Sequence, residues 1–550
     1  MVTMRALALA VAAASAFLVG CADVPVGPAT QAPVASTAPV KTDAYITDTL
    51  VNLLENENKD LISLTNIAGT PVNDILSLGS PIGYTLRNRY LNIGIPVAEA
   101  LSRDNDPVFR DKLVTEARWD SNTEVRSSAM IALAQKHDLR DLMVFNEALI
   151  YLDPGVRFGA LEALENWGHP DRALPYLKAA SEKDTEPILR VYAAGGMARL
   201  GSSEGLDKLR VFLDDPSWLV KAMATRYLGD YGTASDYQLL VDRIGQDMTN
   251  DFNVAEDCVS ALKLWPKKKK AEEDKLAAND QPTQPPAAAA RGNIPDSFDM
   301  GFSLEPLTVT APRAKIPVAA PIDPQINANL LRLLQRKKTE RPDATAASDP
   351  SIINLSKLTT LTGYSLKTRY TELGFLLTEG LAGTSEYDLD QAMVSAAQSS
   401  KDDQIRAGMM VALAYARDMQ YAPIFQNGLL DQNITIRFGA LESMLIMGDP
   451  SLEFQIGNAG RTDASLAVQI YAAAGMWRMG DIFGREILLK LYQNQDWFVR
   501  AMATHYLGEL GGAEEYRYLL LQLTREQHPS VQAELVSALL HLQKFKDADN

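Results

Sequence analysis

The sequence predicts an all-α chain, an α-solenoid of helical-hairpin repeats arranged as two tandem arrays. Three observations carry this: a long-range duplication, a shorter period inside each copy, and a helical pattern at the same phase of every period. Across the 550 residues, GYTLRNRY at Gly83–Tyr90 returns as GYSLKTRY at Gly363–Tyr370. RFGALE at Arg157–Glu162 returns unchanged at Arg437–Glu442, and WLVKAMATRYLG from Trp218 returns as WFVRAMATHYLG from Trp497. The offset is 280 residues, slipping to 279 by Tyr192 and Tyr471, so the duplicated unit keeps nearly constant length.

The shorter period is marked by an aliphatic–basic pair or its equivalent. It falls at Val125-Arg126, Val156-Arg157, Leu189-Arg190, Val220-Lys221 and Val254-Ala255 in the first copy. In the second it falls at Ile405-Arg406, Ile436-Arg437, Val468-Gln469, Val499-Arg500 and Val531-Gln532, and the spacing is 31–34 residues throughout. After each pair comes an alanine-rich run with apolar residues at i, i+3, i+4 and i+7, the signature of a helix face. Asp153-Pro154, Asp214-Asp215-Pro216, Asp496 and Pro529-Ser530 supply caps and first-turn prolines. Gly168, Gly201 and Gly232 stand where helices end and a left-handed residue is favoured. Shorter amphipathic runs such as Arg172–Ser181 and Glu204–Leu213 lie between, giving one helical pair per period.

With these motifs the chain resembles the HEAT-repeat family, in its short bacterial form D-x(2–5)-[VI]-[RK]-x-x-A-x-x-A-L, over roughly 108–265 and 388–545. The resemblance implies five repeats in each copy and is nearly silent on activity. It also implies that Asp153 with Arg157, and Asp431 with Arg437, form a stacking ladder of salt bridges between repeats.

The first residues read MVTMRALALAVAAASAFLVGC, with Arg5 as the lone charge before an apolar run from Ala6 to Val19. Fourteen residues are too few for a bilayer crossing of about 20 but fit an export signal. Leu18-Val19-Gly20-Cys21 resembles the bacterial lipobox, which implies acylation at Cys21 and cleavage before it. Ala22, not aspartate, follows the cysteine, and in a two-membrane bacterium that favours the outer membrane. The expected organisation is a signal peptide over 1–20 and a lipid anchor with Pro/Ala-rich tether over 21–41. A first solenoid with its N-terminal cap then covers 42–265, a low-complexity linker 266–324, and a second capped solenoid 325–550. Since the linker offers no core, the two solenoids are expected to fold separately and to sit about 40–45 Å apart on a coil-like connection. Within the linker, Leu304–Thr310 (LEPLTVT) is a short β-prone island, and Lys267–Lys270 is a solvated run or a contact for anionic headgroups. With Cys21 acylated, Cys258 is a lone thiol on an apolar helix face, expected to be buried.

Fifty-three basic against 69 acidic residues leave a net charge of −16, which argues against nucleic acid as partner. His137, His169, His505, His528 and His541 show no metal-ligand spacing, and no phosphate-binding glycine loop occurs. GSSEG at Gly201–Gly205 matches G-x-S-x-G but follows a helix instead of a strand, and Ile482 replaces Ser203 in the second copy. Deoxyhypusine hydroxylase is similar in fold and carries His-Glu dipeptides for its irons; this chain has none. Phycobilin lyases, also similar, act in the cytoplasm. No enzyme activity, metal or cofactor is expected.

Residues kept between the copies are the candidate protein-binding positions: Trp218 and Trp497, Tyr84 and Tyr364, Arg89 and Arg369. Aromatic and arginine side chains anchor interfaces. The same cap residues also admit an internal role, with aromatics packed on the first repeat and Arg89–Glu99 and Arg369–Glu379 bridges. The expected function is a non-catalytic, outer-membrane-anchored scaffold or assembly lipoprotein, binding an envelope protein complex through two solenoids. The alternative is a binding module for a cell-wall or glycan ligand in the periplasm.

Overall fold

The computed structural model describes residues 44–56, 79–91, 94–103, 107–244, 250–279, 323–335 and, three positions apart, 358–546. Among these the chain is all-α. The first array opens with three cap helices, α1 (Ala44–Asn56), α2 (Pro81–Leu91) and α3 (Gly94–Arg103). Five hairpins follow, each an outer helix and then an inner one. They are α4 (Pro107–Trp119) with α5 (Thr123–Ala134), α6 (Leu142–Ala148) with α7 (Pro154–Asn166), and α8 (Pro170–Lys183) with α9 (Pro187–Arg199). The last two are α10 (Ser203–Phe212) with α11 (Trp218–Tyr231), and α12 (Ala234–Ile244) with α13 (Asp251–Asn279). The second array repeats this order. Its cap is α14 (Pro324–Gln335), α15 (Leu361–Thr371) and α16 (Leu373–Leu381). Its hairpins are α17 (Tyr387–Ser399) with α18 (Asp403–Tyr415), α19 (Ala422–Gly428) with α20 (Ile434–Met447), and α21 (Glu453–Thr462) with α22 (Leu466–Arg478). They end with α23 (Phe483–Tyr492) and α24 (Trp497–Leu510), then α25 (Ala513–Leu523) and α26 (Pro529–Leu542).

Local chemistry sets these boundaries. Asp153 caps α7 by accepting the Gly155 N–H at 2.7 Å, with Pro154 in the first turn; Asp496 does the same for α24 through the Phe498 N–H at 2.8 Å. Gly168 and Gly201 end their helices with φ of 77° and 86°, in the left-handed region. Gly232 does not, its φ being −65°. Glycine is required there for space, since a Cβ would lie 2.3 Å from the Leu228 carbonyl oxygen.

The inner helices are buried on nearly every side, twelve of thirteen residues in α7, because each has a neighbour on both flanks and an outer helix behind. Close approach needs small residues. A Cβ on Gly159 would meet Ser127 of α5 at 2.6 Å, and on Gly439 would meet Ala407 of α18 at 2.7 Å. The ladder differs in register from the expectation. Arg157 donates to Asp184 of the next repeat at 2.9 and 3.0 Å, and Arg437 likewise to Asp463 at 3.0 Å. Asp153 is a helix cap, and Asp431 accepts from Arg406 of the preceding repeat at 3.0 Å. The arginine therefore reaches one repeat forward.

The two arrays do not stand apart. Inner helix α13, the last of the first array, packs on α16, and α26, the last of the second, packs on α3. The inner helices thus run α3, α5, α7, α9, α11, α13, α16, α18, α20, α22, α24, α26 and back to α3. The solenoid closes into a ring with two seams, and each cap covers the last repeat of the other array. This corrects the expectation of two separate solenoids held at linker distance: the seams, not the linker, set their spacing. Residues 266–279, expected as linker, continue α13 through Pro266. The island Leu304–Thr310 lies outside the described residues.

Candidate functional site

Helices α2 and α15 carry the GYTLRNRY and GYSLKTRY motifs, and they lie across the middle of the ring. They pack on each other, and α2 also reaches the junction that follows α15, with Tyr84 edge-on to Phe375 of α16 at 5.7 Å between centroids and Arg87 3.9 Å from Glu372. Each starts on an inner helix of the opposite array. Glu442 of α20 accepts the Ile82 N–H at 3.3 Å, at the first turn of α2; Thr362 Oγ1, at the first turn of α15, donates to Glu162 Oε1 of α7 at 2.7 Å. A carboxyl group at a helix N-terminus receives the unsatisfied N–H groups there. Burial raises both carboxyls, Glu162 to about 7 and Glu442 to about 8, against the lowering pull of these hydrogen bonds. RFGALE is therefore legible residue by residue: arginine for the ladder, glycine for close packing, glutamate for the crossing helix.

Each crossing helix ends on a seam. Arg89 Nη2 donates to Glu99 at 2.8 Å and to Glu534 of α26 at 2.8 Å, and its Nε is 2.5 Å from Glu534. Arg369 donates to Glu256 of α13 at 2.7 and 2.6 Å and also to Glu379. Both arginines are 3% exposed. Burial works to raise Glu99, but Arg103 and Arg89 outweigh it and hold its carboxyl at about 2; Arg369 and Lys263 likewise hold Glu379 well below the carboxylate range. Buried charges persist only where paired and hydrogen-bonded in this way.

The kept residues therefore divide. Arg89, Arg369 and Tyr84, expected as candidates for binding a partner, are buried within the closed chain and do not present a surface. The internal alternative holds for the two Arg–Glu bridges, with the addition that the cap packs on the far end of the other array as well as on its own first repeat. The side chain of Tyr364 and the whole of Cys21 lie outside the described residues. Trp218 and Trp497 are half-buried at the starts of α11 and α24. Trp218 sits beside Phe252 and Tyr370, at 5.7 and 6.5 Å between centroids. Trp497 stacks on His528 at 4.7 Å with the planes 3° apart. Cys258 is fully buried, and burial raises its thiol well above the usual range.

One group of exposed apolar side chains lies outside the positions kept between the copies. Trp119 at the end of α4, Met143 on α6, and Ile150 and Leu152 in the loop before α7 are 79%, 61%, 86% and 93% exposed. The Arg118–Glu147 pair, 2.8 Å, ties the end of α4 to α6, and Arg126 lies over the Tyr151 ring at 3.9 Å, so these side chains share one rim of the first array. The second array has Ser399, Asp431 and Gln432 where the first has Trp119, Tyr151 and Leu152, but it keeps an exposed Leu430 where the first has Ile150. Searching for residues kept between copies passes over this patch; searching for residues that differ finds it. Among the described residues no cluster of histidine, cysteine and carboxylate side chains is placed to hold a metal ion. No described helix is long and apolar enough to cross a membrane.

The geometry is that of an internally duplicated α-solenoid of helical hairpins. Residues 174–263 and 457–540, one stretch in each array, match the family model described as HEAT repeats. No curated protein matches the sequence. Among solved structures, the chain is similar to karyopherin Kap121p bound to Nup53p, at 12% identity and a TM-score of 0.31, covering 90% of this chain and 53% of that one. It thus spans about half the length of the karyopherin chains it matches. Human deoxyhypusine hydroxylase in complex with glycerol is similar at 14% identity and a TM-score of 0.23, covering 62% of this chain and 96% of that one.

Proposed function

We propose that this protein is a non-catalytic scaffold lipoprotein, anchored through Cys21 in the outer membrane facing the periplasm, that binds a protein of an envelope complex. The observation that carries the binding reading is the rim patch of Trp119, Met143, Ile150, Tyr151 and Leu152. Exposed apolar patches of this kind mark interaction sites on otherwise polar surfaces. Trp119, Tyr151 and Leu152 have polar counterparts in the second array while Ile150 keeps an exposed apolar one in Leu430, so the partner is expected to favour the first array's rim. The anchor reading rests on the lipobox resemblance at Leu18–Cys21 and on the Pro/Ala-rich stretch that follows. Of the kept aromatics that a glycan-binding reading would use, Tyr84 is committed to the interior.

The test is affinity purification from gently solubilised membranes, comparing wild type with Trp119→Ala/Leu152→Ser. A stoichiometric protein partner, lost from the variant while its melting temperature is unchanged, is the expected result. Recovery of the same partner at undiminished yield would remove the rim from the binding reading, and recovery of the protein alone with cell-wall fragments would replace it. Cys21→Ala should leave the membrane fraction or accumulate as precursor; a wild type that takes up no labelled fatty acid would end the anchor reading.

A further inference from the structure

We propose that the two seams are keyed: each cap accepts the last repeat of the opposite array and rejects that of its own. The partner that either half of the chain fits is then the other half, not a second copy of itself. This does not depend on the scaffold reading.

The seams are built around equivalent cap pairs, Arg89–Glu99 and Arg369–Glu379, and each arginine closes on a carboxylate of the last inner helix. They differ in where the second cation on the cap glutamate comes from. At the first seam it is Arg103, from the cap helix α3 itself, paired with Glu99 and donating to Ser537 O and Oγ of α26 at 3.2 and 3.1 Å. At the second seam it is Lys263, from the body helix α13, 2.7 Å from Glu379 and 2.7 Å from Asp230.

The copies lack each other's solution. The position equivalent to Arg103 is Gly383. Aligning CVSAL at 258–262 with LVSAL at 535–539 puts Leu540, 5% exposed, where Lys263 stands. Closing the first cap on α13 would therefore bring Lys263, which otherwise pairs with Asp230, to a Glu99 already held by Arg89 and Arg103, a third buried cation at one carboxylate. Closing the second cap on α26 would leave Glu379 against Leu540, with no cation but the arginine it shares. A second offset acts in the same direction. Arg369 uses Glu256, whereas Arg89 uses Glu534, the equivalent of Asp257, and Asp257 accepts from Thr225 at 2.9 Å. Buried charges left unpaired or crowded with like charge discriminate strongly between partners. The same residues that balance the correct seams thus unbalance the wrong ones.

The test uses the full chain with a protease site placed within residues 280–322 and cut after folding. The two halves should elute together as a 1:1 pair. After unfolding in urea and refolding, the cut protein should return the 1:1 pair, read by native mass spectrometry; homodimers of either half in comparable yield would overturn the proposal. The key itself is read by Arg103→Met and Leu540→Lys. Each alone should weaken the association of the cut halves by about tenfold or more, the first by leaving Glu99 with one cation and the second by crowding Arg103. Together they should bring it back to within about threefold of wild type, since the lysine then supplies from the body what the cap has lost. Additive losses in the double variant would show that the cations are not alternatives. If Arg103→Met does not fold alone, recovery of a soluble 1:1 pair in the double variant reads the same coupling, and failure to recover it counts against the key.

Discussion

Single carboxyl groups decide how the ring responds to pH, and the two kinds act in opposite directions. Glu162 and Glu442 have folded values raised to about 7 and about 8 by burial, above the unfolded value of about 4.3. Their contribution is fully present below the unfolded value and is lost as pH rises through about 7 to 8. Glu99, held at about 2 against burial by Arg103 and Arg89, contributes above the unfolded value and loses it as pH falls toward about 2. These two carboxyls should therefore lower stability between about pH 5 and pH 8 in chemical denaturation, and Glu442→Gln should reduce that fall by up to about 4 kcal/mol. An unchanged pH slope in the variant would move the titration to other groups. Arg369→Met, which strands Glu256 and Glu379 without their guanidinium, should cost about 3–5 kcal/mol at neutral pH in the same measurement. The sequence made these arginines legible as kept residues and even paired each with the right cap glutamate. It did not make Glu534 or Glu256 legible as their further partners. Those contacts join residues 445 and 113 positions apart, and no local pattern encodes them.

Among helices, the repeat pattern was readable because it is local: capping aspartates, first-turn prolines and a 3.6-residue apolar period act within one hairpin. The ladder runs one repeat further than local spacing predicts, since an arginine at the start of an inner helix reaches carboxylates on either side and only packing chooses Asp184 over Asp153. The end of the first array lies beyond its expected boundary for a related reason. Pro266 and the lysine run suggested a break, yet Lys267 donates to the Gly232 carbonyl at 2.9 Å and Lys268 lies 4.3 Å over the Tyr237 ring, so the helix continues on tertiary contacts. The tryptophans now separate by position. Trp218→Ala removes packing against Phe252 and Tyr370 near the second seam and should cost about 2–4 kcal/mol of stability. Trp119→Ala, at an exposed helix end, should change stability by less than about 0.5 kcal/mol while weakening partner capture. Thermal melts beside pull-downs of both variants distinguish them; a large loss of stability in Trp119→Ala would return that residue to the core.

For the molecule as a whole, exchanged caps make the two arrays one thermodynamic object. Neither array holds its own terminal repeat covered, so loss of one removes the cover from the other. Calorimetry should show a single transition with both arrays melting together, and a seam substitution such as Arg369→Met should shift that one transition instead of splitting off a half. Two resolved transitions, one assignable to each array by hydrogen exchange, would mean that the seams are weaker than the repeats they join.

Closure also fixes how many repeats the chain holds. Among the described residues twelve inner helices share one full turn, about 30° for each step. An open superhelix absorbs an extra hairpin at its end with no effect elsewhere. Here an added hairpin would overrun the circle by one step, and a deleted one would leave a gap of about 8–10 Å, the width of a helix. Neither change is local, because α2 and α15 span the middle and would lose their landing points on α20 and α7. Natural variation in this architecture should therefore fall in loops and on the rim, with repeat number held constant.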